Sequence, residues 1–228
     1  MLATLLRGIA AILLQEDWCL LRSRITRHLH DARRRSQDAP PIIAQLLLVS
    51  GEDHRHSRHP GYDLIAIARA LWRRLHGVRE GASTIDQQVV RVLTGRYDRT
   101  LARKVREILL ATLVARHFPK AALPALYLEI AYYGWHMNGF AQACARLRED
   151  PASMTLGEAA AIVARLKYPE PRSCSSARHF EIQRRSRHLL ALYERHLTQG
   201  VYDHLRPATA NATISPRRLI PSAARAVP

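Results

Sequence analysis

The sequence predicts a mostly helical domain, and three observations lead there. Apolar residues recur at helical spacing along most of the chain, helix-start signals precede several of those runs, and no run alternates convincingly with a period of two. The 228 residues are 47% hydrophobic, so the chain can bury a sizeable core; a domain of this size removes roughly 70% of its unfolded surface from water. Disorder throughout is thereby excluded. Nothing in the composition marks a clean division, so one domain with ragged ends is expected.

The N-terminal stretch "MLATLLRGIAAILLQEDW" is apolar for about fourteen residues, broken by Arg7 and closed by Glu16 and Asp17. A spanning helix needs about 20 apolar residues, so the run is too short to cross a membrane as it stands. A helix with Leu5, Ile9, Ile12 and Leu13 on one face suits a membrane interface; a signal peptide and a first helix docked on the core remain open readings. From Arg22 to Pro41 the chain is basic and polar and ends in two prolines, which reads as a helix running into a linker. Residues 1–40 are therefore expected as an N-terminal basic segment, 41–206 as the compact domain and 207–228 as a disordered tail poor in large apolar groups.

Within the domain, Leu64, Ile67, Ala68, Leu71 and Leu75 predict a helix from Asp63 to near Gly77. Ser83 followed by Asp86 has capping-box spacing at the next helix start. The following helix starts at Thr100, with Leu101, Val105, Ile108, Leu109, Thr112 and Leu113 on one face and Arg103, Lys104, Arg106 and Glu107 on the other, and stops near Pro119. "AALPALYLEIAYYGWHMNGFAQACARL" predicts two shorter helices around a joint at Gly134 and Gly139. Thr155 and Glu158 open another helix, and "HFEIQRRSRHLLALYERHL" is a last amphipathic one.

A formal charge of +16, from 35 basic against 19 acidic residues, draws the chain toward polyanions such as anionic lipid, nucleic acid or a phosphorylated substrate. Nucleic-acid binding rests on that charge alone. Three cysteines without a CxxC pair support neither a disulfide framework nor a cysteine zinc site.

Three segments concentrate unusual polar residues. "GEDHRHSRHPG" places Glu52, Asp53, His54, His56 and His59 behind the apolar run "IIAQLLLVS". Its spacings suit neither a histidine pair at i, i+4 nor a cysteine-histidine zinc site. A zinc site, a solvated loop and a catalytic carboxylate are the alternatives. Glu52 is favoured as functional because partial desolvation behind the apolar run would raise its pKa toward that of a general base. "GASTIDQQ" offers a helix N-terminus with Ser83 and Thr84 as a cradle for an anion. The tandem amides Gln87 and Gln88 cannot both face a core without partners, so one is expected in a cleft. Arg103, Lys104 and Glu107 share one helical turn, as a surface ion pair or as a cation pair for phosphate oriented by a carboxylate.

Taken in order, "IIAQLLLVSGEDHRHSRHPGYD", "REGASTIDQQVVRVLTG", "LARKVREILLATLVARHFPKAALPALYLEIAYYG" and "LGEAAAIVARLKYPEP" resemble the motifs of family 51 glycosyltransferases, over about Pro41 to Tyr193. These are peptidoglycan glycosyltransferases, found as monofunctional enzymes or as a module of penicillin-binding proteins. The resemblance implies a lysozyme-like helical fold with a larger head and a small jaw lobe. It implies inverting polymerisation of lipid II into glycan strands at the periplasmic face of the bacterial inner membrane. Lipid II, the nascent strand, the membrane surface and other cell-wall synthesis proteins would be the partners, and nucleic acid would not.

By the same resemblance Glu52 is the catalytic base and Glu107 the second carboxylate, holding the diphosphate directly or through a divalent cation, Mg or Mn. Asp53, His59, Ser83, Thr84, Gln87, Gln88, Arg91, Arg103 and Lys104 fall on substrate-binding positions, with Arg91 where the family usually has lysine. No protein metal ligand is assigned. The motifs depart from the usual at His56 (an aromatic), Asp86 (threonine), Val92 (asparagine), Ala125 and Glu129 (glutamate and asparagine) and Lys167 (proline). Asp86 is expected to repel an anion held at the helix start. A catalytically impaired member that binds lipid II or a cell-wall partner is the alternative function.

Overall fold

A computed structural model describes residues 1–34, 39–78 and 81–205. The expected disordered tail and residues 35–38 of the expected linker lie outside these residues. Among the described residues the chain is mostly helical, as expected, with one two-stranded hairpin.

α3 (Ile42–Glu52) lies at the centre. Its sequence is apolar nearly all round, as befits a helix enclosed by neighbours; Ala44, Leu47, Leu48 and Val49 are fully buried. α7 (Leu123–Ile130), α9 (Leu156–Ala164) and α10 (Ser176–Leu197) pack around it. α5 (Ile85–Thr94) lies against α6 (Leu101–His117) and α7. The catalytic candidate Glu52 is thus the last residue of a core helix, which fixes its backbone firmly.

Several starts and stops follow the sequence signals. Asp63 caps α4 (Leu64–Leu75), accepting from the N–H groups of Ile65 and Ala66, and Thr100 caps α6. Thr155 and Glu158 complete a reciprocal capping box on α9. The start of α5 is corrected: Thr84, not Ser83, is the cap, its hydroxyl accepting from Gln87 N–H. Ser83 is thereby left free for the neighbouring cations.

Two other expectations are revised. The joint at Gly134 and Gly139 is an antiparallel hairpin, β1 (Tyr132–Gly134) with β2 (Met137–Asn138), before α8 (Phe140–Leu147). In α6, Leu101 and Val105 are exposed while Glu107 is buried, so the polar face points inward at its centre. The reason lies in the partner: α5 presents Arg91 to Glu107, and a matched charge is tolerated where an isolated one is not.

The core does not stop at Pro41. Ala10 of α1 (Leu2–Leu13) and Trp18, Leu21 and Ile25 of α2 (Gln15–Arg34) share it. α1 packs on α6 and α2 on α5. Asp17 of α2 accepts hydrogen bonds from Arg106 and Arg96. The opposite face of α1 shows Leu2, Leu5, Ile12 and Leu13 to solvent, while Ile9 is partly buried. α4 stands off the body with none of its residues buried and with Leu64, Ile65, Leu71, Trp72 and Leu75 exposed.

Candidate active site

Glu52 projects half-buried at the end of α3. Its Oε1 accepts from Arg185 Nη2 of α10 at 2.8 Å, and its Oε2 accepts from Gln88 Nε2 of α5 at 3.1 Å. Arg185 also donates to the carbonyl of Gly51 at 2.8 Å. A Cβ on Gly51 would lie 2.9 Å from that guanidinium and 2.3 Å from Leu189, so glycine lets α10 approach closely enough to hold the carboxylate. Each Glu52 oxygen keeps a second lone pair for an incoming hydroxyl.

Across α5 lies a cluster of cations on one carboxylate. Arg91 grips Glu107 with both Nε and Nη2 at 2.9 Å, and Lys104 Nζ reaches Glu107 Oε1 at 2.8 Å. Arg103 Nη1 also donates to Glu107 Oε2. Ser83 Oγ accepts from Lys104 at 2.9 Å and from Arg91 at 3.2 Å, and Gln87 Oε1 accepts from Lys104 at 2.5 Å. Burial pushes the Glu107 carboxyl up, but hydrogen bonds and charge from Arg91 and Lys104 outweigh it and hold it below its ordinary value. Burial likewise draws the Lys104 ammonium down against the pull of Glu107. Three cations oriented by one carboxylate, with faces still open to solvent, leave an excess of positive charge for an anionic ligand.

The expected anion cradle at the start of α5 is already filled by the protein. Asp53 Oδ2 accepts from Ile85 N–H at 3.1 Å, so the positive end of the helix serves an internal carboxylate. Burial opposes ionisation of Asp53, yet its contacts with His56 and His59 outweigh burial and hold it far below the carboxylate range. Thr84 is not a ligand-facing donor either: its hydroxyl donates to the carbonyl of Gly61 at 2.8 Å while capping α5. Of the two amides, Gln88 faces Glu52 and Gln87 is fully buried against Lys104.

The structure therefore brings Ser83, Gln87, Arg91, Arg103, Lys104 and Glu107 into one cluster and Glu52 with Gln88 into a second, with α5 as the shared wall. Asp53, His59 and Thr84 stand behind as support. Asp53, His56, His59 and Asp86 are all buried and bring one ligand atom each within 4.8 Å of the others, a donor set able to hold a metal ion. Sequence reasoning missed Arg185. The signal was present: Ile182, Leu189, Tyr193 and His196 form the buried stripe of α10, and Arg185 sits on the same stripe by spacing, a charge where the pattern calls for an apolar residue.

The transglycosylase family model matches residues 22–193. The chain belongs to the transglycosylase family. Among its relatives are penicillin-binding protein 1A of Rickettsia felis, 34% identical over 127 residues covering 53% of this chain and 16% of that protein, and penicillin-binding protein 1A of Vibrio cholerae, 31% identical over 169 residues covering 70% and 20%. Penicillin-binding protein 1A of Neisseria gonorrhoeae is 33% identical over 132 residues, covering 57% and 16%. The chain thus spans 16% to 20% of the length of these relatives.

Within the transglycosylase family pattern, the departures at His56 and Asp86 form one feature. His56 Nδ1 lies 3.6 Å from Asp86 Oδ2. Asp86 is turned away from the cation cluster and held by Lys120 Nζ at 2.8 and 2.9 Å. The expected repulsion between Asp86 and a bound anion is accordingly cancelled at source, because a neutralised carboxylate buried on the far face of α5 projects little field into the cleft.

Proposed function

We propose that the chain is a peptidoglycan glycosyltransferase that polymerises lipid II at the periplasmic face of the bacterial inner membrane. The observation that carries this reading is the placement of one carboxylate, Glu52, across α5 from the Lys104, Arg91 and Arg103 cluster. Glu52 takes the proton from the 4-hydroxyl of the acceptor sugar as its oxygen attacks the anomeric carbon of the growing chain. The bond from that carbon to the diphosphate oxygen breaks, and the diphosphate leaves with the electron pair. The preorganised cations stabilise the charge that develops there. A single displacement of this kind inverts the anomeric centre.

A divalent cation bridging the diphosphate was the expectation at Glu107. Three cations already share the two Glu107 oxygens, so a further cation there would meet their combined repulsion, and no step is routed through such an ion. Glu107 instead spaces and orients the three cations.

Access to a lipid-linked substrate is supported by the exposed apolar faces of α1 and α4 and by the +16 charge, which suit an anionic membrane surface. Among the described residues no helix is long and apolar enough to cross a membrane.

The testing experiment incubates the purified chain with fluorescent lipid II in detergent and resolves products by gel. A ladder of glycan strands is expected. Binding of lipid II with no ladder in any detergent or metal condition would replace this reading with that of an impaired, substrate-holding member.

Arg185→Gln is expected to lower kcat by up to about 100-fold, since small misplacements of a catalytic group cost that much, while lipid II affinity stays unchanged. Single-turnover polymerisation set beside equilibrium binding checks the split.

A further inference from the structure

The cluster joining His56 and Asp86 is not used by the proposed reaction. His56 Nε2 lies 3.0 Å from the carbonyl of Lys120, and a carbonyl only accepts, so this nitrogen carries a proton. The other ring nitrogen, Nδ1, faces Asp53 Oδ2 at 3.3 Å and Asp86 Oδ2 at 3.6 Å. A bare lone pair there would face two buried carboxylate oxygens, which is repulsive, so either a proton on Nδ1, donated to Asp53, or a metal ion belongs among the three atoms. The two separations from Nδ1 are close to the edge of about 3.3 Å spanned by two ligands each about 2.0–2.1 Å from a tetrahedral zinc ion, and all three atoms lie within 4.8 Å of one another.

We propose that Asp53 Oδ2, His56 Nδ1 and Asp86 Oδ2 ligate a divalent transition metal of the zinc class. The outer partners that orient such ligands are in place. Ile85 N–H reaches Asp53 Oδ2 at 3.1 Å, His59 Nε2 reaches both Asp53 oxygens at 3.0 Å, Lys120 Nζ reaches Asp86 Oδ1 at 2.9 Å and Oδ2 at 2.8 Å, and the Lys120 carbonyl holds His56. His59 is an outer partner and not a ligand. Its Nδ1 accepts from Gly61 N–H at 3.2 Å, so its Nε2 carries the proton given to Asp53.

His204 lies beside His56, with ring centroids 5.3 Å apart, and its buried ring nitrogens lack a hydrogen-bond partner of good geometry. The metal ties the end of α3 to the start of α5, and so fixes Glu52 against the helix that carries Gln88 and Arg91. Both His56 and Asp86 stand, by the motif resemblance, where other residue types are usual.

The test titrates the chelator-treated 228-residue chain with zinc, and with cobalt as a spectroscopic probe. One metal ion per chain, a rise in Tm with zinc, and visible absorption from cobalt in a nitrogen and oxygen site are expected. His56→Phe and Asp86→Thr restore the residue types usual in the family. Each is expected to weaken binding by about 100-fold or more, given that loss of an outer partner alone costs about 10–100-fold; His30→Gln, at an exposed residue of α2, is expected to bind as the wild type does. A wild-type chain that takes up neither metal overturns the proposal and leaves a proton on His56 Nδ1. Unchanged affinity in both cluster variants overturns it too, by placing the metal elsewhere.

Discussion

Glu107→Gln is expected to cost about 3 kcal/mol of folding stability and to remove most polymerising activity. Glu107 is 3% exposed and is gripped by Arg91, Arg103 and Lys104. Removing one partner of a buried pair costs about 3–5 kcal/mol because the remaining charge is left uncompensated. The low end applies here, since the three cations keep partial access to water. They would also repel one another and lose the spacing that receives the diphosphate.

The same residue predicts part of the acid response. The Glu107 carboxyl titrates below its ordinary value of 4.5 in the folded chain, so the unfolded chain takes up the proton first. Its stabilisation is complete above about that ordinary value and is lost as pH falls through the lowered folded one. Urea unfolding of wild type and variant, followed from neutral pH downward, should show this portion of the acid limb in the wild type and its disappearance in Glu107→Gln.

Gly61→Ala is the second large effect expected, about 3 kcal/mol or more. Gly61 has φ +101, and a Cβ there would lie 2.3 Å from the carbonyl oxygen of Ala111 and 2.9 Å from Thr112 N. Those are backbone atoms of α6, which cannot rotate aside. The loop cannot retreat easily either, because the Gly61 carbonyl accepts from Thr84 and Gln87 and its N–H donates to His59. Displacement therefore reaches the start of α5 and, through Gln87, Lys104. Thermal unfolding is the check, with Gly81→Ala as control: nothing lies within 4 Å of a Cβ at Gly81, so its effect should stay within roughly 0.5 kcal/mol.

What the chain revealed before folding was its local physics. Helical spacing and the capping residues Asp63, Thr100 and Thr155 placed most helices, because these signals act within one or two turns. Ser83 was mistaken for the cap of α5 since both Ser83 and Thr84 can cap, and only the contact of Thr84 with Gly61 decides between them. Glu107 was read correctly as the neighbour of Arg103 and Lys104, at i+4 and i+3, but its burial depended on Arg91 from another helix. Asp86 looked like a source of repulsion because its partner, Lys120, lies 34 residues away. Arg185 is 133 residues from Glu52, and no local pattern joins them. The two catalytic candidates were legible through motif order; the residues that orient them belong to tertiary packing.

The most direct measurement compares polymerisation of lipid II by wild type and Glu52→Gln in one assay, with lipid II binding measured in parallel. The amide keeps the size of the side chain and can still hydrogen-bond, but it cannot take the proton of the attacking hydroxyl. If Glu52 is the base, binding persists and the rate falls by about 10²–10⁴, the usual contribution of a positioned general base. Strands made by Glu52→Gln at the wild-type rate would contradict the account.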